Sequence, residues 1–126
     1  MQRCQLTTVG RKTGLTREVE LNCIEDGPNV AVAASNDGDD HEPAWWLNLQ
    51  ANPGATVRVG GGVRTMRARE ATPAEHARIW ARFVAGKPEY AEYSARTSRH
   101  ISVVILEPGD GLDGRLASVP CLTGSR

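Results

Sequence analysis

Two runs of alternating polarity flank the turn Gly10-Arg11-Lys12-Thr13-Gly14, and this arrangement restricts the start of the chain to an antiparallel hairpin. Val19, Leu21 and Cys23 alternate with Glu18, Glu20 and Asn22, the period of a strand with one buried face. Residues 6–9 pair with that strand across the turn at 10–16. Glycine at each end of the turn permits backbone angles that other residues resist and lets a ligand approach the main chain, while Arg11 and Lys12 supply charged donors. Such a turn suits a phosphate or a carboxylate. A Walker loop ends in Gly-Lys-Ser/Thr and opens a helix, so a nucleoside triphosphate is not the expected ligand. The same residues also suit a solvated hairpin tip with two surface cations, and the turn alone does not separate the two readings.

Further along, Asp26-Gly27-Pro28-Asn29 is turn chemistry and residues 30–35 read as a buried central strand. Pro43 suits the first turn of a short helix, with Trp45 and Leu49 one turn apart and Asn52-Pro53 as its stop. Residues 56–59 and 63–69 alternate around Gly60-Gly61-Gly62 as a second hairpin. Thr72-Pro73-Ala74-Glu75 combines a cap, a helix-opening proline and an acid at the third position, and Ala77, Trp80, Ala81 and Val84 follow at helical spacing. Gly86-Lys87-Pro88 breaks that helix. Residues 89–96 form a second one with Tyr90 and Tyr93 on one face, and residues 101–106 close the domain as a buried strand. About six strands interrupted by helices, without a βαβ rhythm, predict a mainly β, α+β fold: a small antiparallel barrel with peripheral helices.

The length of 126 residues predicts one domain, residues 1–108, with residues 109–126 as a loosely held tail poor in large apolar side chains. Fifteen basic and fifteen acidic residues cancel, so the overall charge does not point to nucleic acid or an anionic membrane. No apolar run approaches the roughly 20 residues of a spanning helix, and no signal-peptide pattern opens the sequence. A cytoplasmic protein is expected. Cys4, Cys23 and Cys121 are odd in number and widely spaced, which indicates neither a disulfide framework nor a zinc site, and Cys23 reads as a small buried hydrophobe. Asp39-Asp40-His41-Glu42 reads as a solvated loop rather than a metal site, because neighbouring side chains rarely converge on one ion.

In order, residues 6–14, Val32-Ala33-Ala34-Ser35-Asn36, residues 43–49 with Ala51-Asn52-Pro53, Tyr90-Ala91-Glu92-Tyr93 and residues 101–108 resemble the deazaflavin-dependent nitroreductase family across residues 5–108. The resemblance implies an FMN-binding-like split β-barrel that holds coenzyme F420, a 5-deazaflavin with a phosphate and an oligoglutamate tail. It also implies hydride transfer from the reduced coenzyme to a small electron-poor acceptor: a quinone, a nitro compound or an activated enone, in an actinobacterial setting.

On that resemblance Arg11, Lys12, Thr13 and Arg17 bind the anionic tail, and Ala34, Ser35 and Asn36 offer the phosphate backbone N–H groups and the Ser35 hydroxyl. Pro43, Ala44 and Trp45 open a helix whose unpaired N–H groups face the ring, with Trp45 rather than Trp46 as the pocket wall. Asn48 either binds the coenzyme or braces the helix. Tyr90 and Tyr93 line the acceptor side as hydrogen-bond donors, Tyr93 foremost. Three positions depart from the family pattern. Lys87 stands where a third tyrosine occurs in nitro-drug-reducing relatives, and Glu20 and Asn22 stand where a proline and an aromatic are usual, so bicyclic nitroimidazoles are not the expected acceptors. A carboxylate at Glu20 disfavours the anionic oxidised ring unless its side chain points away. The sequence opens nearly at the first strand, and membrane association is not expected. A monomer or a homodimer is expected. A non-catalytic F420 carrier and an FMN-binding barrel are the alternative functions.

Overall fold

The computed structural model describes residues 1–109. The proposed tail lies outside these residues, apart from Gly109. Seven strands form one sheet: β1 (Arg3–Val9), β2 (Thr16–Asn22), β3 (Ile24–Asp26), β4 (Asn29–Ala33), β5 (Gly54–Val59), β6 (Gly62–Glu70) and β7 (Val103–Pro108). Three helices accompany them: α1 (Ala44–Ala51), α2 (Pro73–Gly86) and α3 (Glu89–Arg96). The strand order is β2-β1-β5-β6-β7-β4-β3, and every neighbouring pair is antiparallel.

The α+β class is the one read from sequence. The hydrogen-bonded ladder does not close into a barrel, because β2 and β3 are its two edges. Yet only Cys23 separates these edge strands in the chain. Seven flat strands at ~4.8 Å spacing would hold their edges ~29 Å apart, far beyond the ~7 Å that a one-residue link spans, so the sheet is strongly curled.

Local chemistry fixes the corners. Val59 pairs with Gly62, leaving Gly60 and Gly61 (φ 60° and 83°) as a two-residue loop with both residues in the left-handed region, as a type I′ hairpin demands. Thr72 accepts from the Glu75 N–H while Glu75 accepts from the Thr72 N–H at 2.9 Å, so the expected capping box opens α2. The seventh strand, β3, was not expected, since three residues are too few to express a period of two.

Two apolar clusters occupy opposite faces of β4 and β7. Val30, Val32, Val104 and Leu106 join Leu6, Val57 and Met66 on the concave side, whereas Ala31, Ala33, Val103 and Ile105 face α2 and α3. This double burial explains why both strands read as continuous apolar runs. On α2 the buried residues are Ile79 and Phe83, both fully enclosed, rather than the expected alanines, as Ala77 and Ala81 are exposed. Each contributes about 1.5–3 kcal/mol through burial. α1 is not peripheral: Trp45, Trp46 and Leu49 belong to the concave cluster. Pro43 caps α1 in extended conformation (φ −66°, ψ 145°) instead of occupying its first turn. Cys4 and Cys23 are buried free thiols.

Candidate active site

A cleft of about 740 Å³ opens between the β1–β2 turn, β2, the start of α1 and α3. Arg3, Arg11, Lys12, Arg17 and Lys87 line it against Glu18, Glu20 and Asp37, an excess of two positive charges in a chain that is neutral overall. Local charge, not global charge, therefore makes the cleft attractive to anions.

The β1–β2 turn is built for close approach. Gly10 N–H donates to the Leu15 carbonyl, and Gly14 N–H to the Gly10 carbonyl, each at 2.8 Å. A Cβ on Gly10 would lie 3.1 Å from both the Leu15 oxygen and the Thr13 hydroxyl, so a side chain there would crowd the turn. Arg11 donates to Asn48 Oδ1 twice, from its backbone N–H at 3.1 Å and from Nη1 at 2.8 Å. Asn48, buried on α1, donates in turn to the Thr8 hydroxyl at 3.3 Å. Asn48 thus braces the turn against α1 and holds the Arg11 guanidinium in the cleft. Lys12 and Arg17 also line the cleft, and neither forms a salt bridge among the described residues.

Opposite this turn, Asn36, Asp37 and Gly38 are three successive residues at positive φ (46°, 54° and 82°). Side-chain oxygens make Asn and Asp the L-residues most tolerant of this region, and glycine has no barrier to it. Ser35, Asn36 and Asp37 line the cleft, but Ala34 does not. Its N–H donates to the Ser102 carbonyl at 2.9 Å and its carbonyl accepts from Arg99 at 3.0 Å, so Ala34 has no free donor for a phosphate. The turn packs closely on α3: a Cβ on Gly38 would stand 3.0 Å from Tyr93 Cα and 3.1 Å from Arg96 Cδ.

The start of α1 faces the same space. The Trp46 and Leu47 N–H groups find the Pro43 carbonyl at 3.1 and 3.3 Å, whereas those of Ala44 and Trp45 have no acceptor among the described residues. Pro43, Ala44 and Trp45 line the cleft and Trp46 does not, the two indoles sitting 6.5 Å apart at 55°.

On the acceptor side, Tyr90 is almost enclosed and meets Tyr93 edge-to-face at 5.4 Å. Burial pushes the Tyr90 phenol above its ordinary pKa, partly offset by the Asn22 amide that donates to its oxygen at 3.2 Å, so the phenol stays protonated at neutral pH. Tyr93 is half-buried beneath the Arg96 guanidinium at 5.6 Å. Glu20 reaches the cleft with its carboxylate paired to Arg3 at 3.2 Å, which moderates the charge expected to trouble an anionic ring.

The acidic loop disperses its side chains: Asp39 accepts from His41, Asp40 from the Thr97 hydroxyl at 2.7 Å, and Glu42 pairs with Arg99. Arg99 is the organising residue that the sequence did not reveal. Its guanidinium, side chain 14% exposed, donates to the carbonyls of Ala34, Ser35 and Asp39 at 2.9–3.0 Å and to Glu42 at 3.1 Å, holding the strained turn from behind. No motif announces it, because most of its partners are main-chain atoms some 60 residues away.

The donor set matches an elongated polyanion that carries an aromatic ring: unpaired cations at the hairpin turn, free N–H groups at the α1 terminus, an indole wall and two phenols. The family model described as F420H(2)-dependent quinone reductase matches residues 1–108. An F420H(2)-dependent quinone reductase of Mycobacterium tuberculosis is 36% identical over 104 residues, covering 80% of this chain and 70% of that protein. A solved F420-H2 dependent reductase, FDR-A, superposes with a TM-score of 0.77 at 38% identity, covering 83% of this chain and 93% of that one. A solved domain-swapped dimer matches with the same score and identity over 83% of this chain and 79% of its own. On this evidence the chain belongs to the F420H(2)-dependent quinone reductase family, oxidoreductases whose cofactor is coenzyme F420.

Proposed function

We propose that the cleft holds reduced coenzyme F420 and delivers its hydride to a quinone, with nitro compounds and activated enones as further acceptors of the same electron-poor class. One observation carries the reading: unpaired cations and phenols share one cleft at a separation suited to a tailed ring. Arg17 and Asn22 stand near the two ends of β2, five residues or ~16 Å apart at ~3.3 Å per residue, and Asn22 touches Tyr90. The tail and the acceptor therefore have separate subsites.

Arg11, Lys12 and Arg17 grip the tail phosphate and carboxylates, and Thr13, Ser35 and Asn36 add neutral donors. Arg11 and Arg17 offer paired donors to an oxyanion, whereas Lys12 acts as a point charge. Arg11 arrives pre-positioned by Asn48 and spends little conformational freedom on binding. Pro43 directs the Ala44 and Trp45 N–H groups toward the electron-rich edge of the ring, and Trp45 walls it. When bound, the reduced coenzyme supplies a hydride from its C5. A quinone takes that hydride and one proton to become a hydroquinone, and Tyr90 and Tyr93 steady the acceptor oxygen that gains charge, the proton coming from a phenol or from water.

The near-contact of edge strands through Cys23 supports a split barrel, with residues 1–108 as the coenzyme-binding unit. No helix of the described residues is long and apolar enough to cross a membrane. A cytoplasmic setting belongs to the same reading. The domain-swapped relative supports a homodimer.

The test is titration with F420 followed by its fluorescence, then stopped-flow oxidation of the bound reduced form by menadione. The R11A/K12A double variant is expected to bind at least 100-fold more weakly, at ~1.5–3 kcal/mol for each charged hydrogen bond lost. Binding unchanged by that variant refutes the tail assignment, and oxidation no faster than that of free coenzyme leaves a carrier instead of an enzyme.

A further inference from the structure

The wall of the cleft made by β1 and β2 carries a directed chain of polar contacts that the reductase reading does not use. Glu20 Oε1 accepts from Arg3 Nη2 at 3.2 Å, and Arg3 Nη1 donates to Asn22 Oδ1 at 3.0 Å. Asn22 Nδ2 then donates to the Tyr90 oxygen at 3.2 Å. All four residues line the cleft. The direction of the chain is fixed chemically. A guanidinium has no acceptor, so the amide oxygen of Asn22 must face Arg3 and its NH₂ must face Tyr90. A phenol whose oxygen already accepts turns its own O–H elsewhere, and the rest of the Tyr90 ring is enclosed by Phe83, Trp80 and Tyr93 at 5.0, 5.8 and 5.4 Å between ring centres.

We propose that Asn22, oriented by the Arg3–Glu20 pair, is a positioning residue that commits the Tyr90 hydroxyl to donating into the cleft. The acceptor subsite thereby prefers molecules that present a hydrogen-bond-accepting oxygen next to the atom being reduced. This rests on the reading of the cleft as a reductase site and adds a substrate class to it: carbonyl-bearing acceptors are favoured over hydride acceptors that lack oxygen. Arg3 and Glu20 are exposed, so their contribution is orientation of the amide and not a strong ion pair.

Two measurements test this. First, the chain has only two tyrosines, so ¹³Cζ-tyrosine labelling resolves both in the protein without coenzyme. Asn22→Leu, neutral and of similar size, is expected to move the Tyr90 resonance and raise its ionisation midpoint by about half a pH unit or more, because the donor that favours the phenolate is gone, while Tyr93 stays in place. Among the other groups that act on that phenol, Lys87 lowers its midpoint and Tyr93 raises it; Arg3, which also lowers it, loses its bond to Asn22 but keeps its charge and its pairing with Glu20.

Second, steady-state turnover with reduced F420 compares menadione with the 10-methylacridinium ion, a hydride acceptor without oxygen. Asn22→Leu is expected to lower kcat/KM for menadione about 5- to 10-fold and to leave methylacridinium within about 2-fold, with F420 affinity unchanged. In a Tyr90→Phe background the same change has no further effect on menadione. Asn22→Asp, which can only accept from the phenol, loses at least as much with menadione. Equal losses on both acceptors, additive losses in the double variant, restoration by Asp, or an unmoved Tyr90 resonance each overturn the assignment of Asn22. A wild-type chain that does not bind F420 overturns the reductase reading itself, and this is seen before any variant is made.

Discussion

Arg99 does not line the cleft, yet its removal is predicted to weaken coenzyme binding. The perturbation is Arg99→Met, which keeps length and stem packing while deleting four hydrogen bonds: to the carbonyls of Ala34, Ser35 and Asp39 and to the Glu42 carboxylate. Each is charge-assisted, and removing one partner of an enclosed ion pair typically costs about 3–5 kcal/mol. The full figure does not apply, because Glu42 and the turn carbonyls can recruit water once the guanidinium is gone; about 2–3 kcal/mol remains. For a domain of this size that lowers Tm by roughly 8–15 °C. The second consequence follows from backbone strain. Asn36 and Asp37 hold positive φ at a cost of the order of 1 kcal/mol each, and Arg99 clamps the carbonyls on both sides of them. Without the clamp the turn relaxes, Ser35 and Asn36 leave their positions, and F420 affinity falls by about 10-fold or more. The assay is thermal unfolding by circular dichroism together with F420 titration at 15 °C, where the variant remains folded. A variant with lowered Tm and wild-type affinity refutes the claim that Arg99 shapes the coenzyme turn. A Tm within 2 °C of wild type refutes the energetic account of its four bonds.

Gly38→Ala is predicted to destabilise by roughly 1–3 kcal/mol, since the new Cβ meets the Tyr93 backbone at 3.0 Å at a position already at positive φ; urea unfolding measures the loss, and a neutral result would mean that the turn and α3 are not in close contact. The Glu75 carboxyl is held down to about 2 by the two-pronged Arg69 guanidinium and by the Thr72 N–H. A depressed acid stabilises the folded state fully above its ordinary value of 4.5 and loses that contribution as pH falls toward about 2. The urea midpoints of the wild type and Glu75→Gln should therefore differ at pH 7 and converge between pH 4.5 and 2; a constant difference would contradict the linkage.

Much of this architecture was legible because its signals are local. Thr72-Pro73-Ala74-Glu75 encodes its cap within four residues, Gly60-Gly61 encodes its turn type, and Tyr90 and Tyr93 share a face simply by their spacing. What escaped depends on partners brought from far along the chain. Asn48 offered two readings, and its contact with Arg11, which adds a role in bracing the hairpin turn, comes from 37 residues away. Ala34 belonged to a promising strand end, but whether its N–H was free depended on a β7-side carbonyl at Ser102. On α2, alanines and large residues fit the helical period equally well, and only packing chose Ile79 and Phe83 over Ala77 and Ala81.

The strands of the sheet differ in what they owe to the packing around them. β4 and β7 are sandwiched between apolar clusters, so almost any change there disturbs packing on one face or the other. β2 is an edge strand with most of its side chains in solvent, and it contributes to neither cluster more than the flanking contacts of Val19 and Leu21. Lineages can accordingly exchange residues along β2, Glu20 and Asn22 among them, and drift toward new oxidants while inheriting an unaltered chassis for the electron carrier.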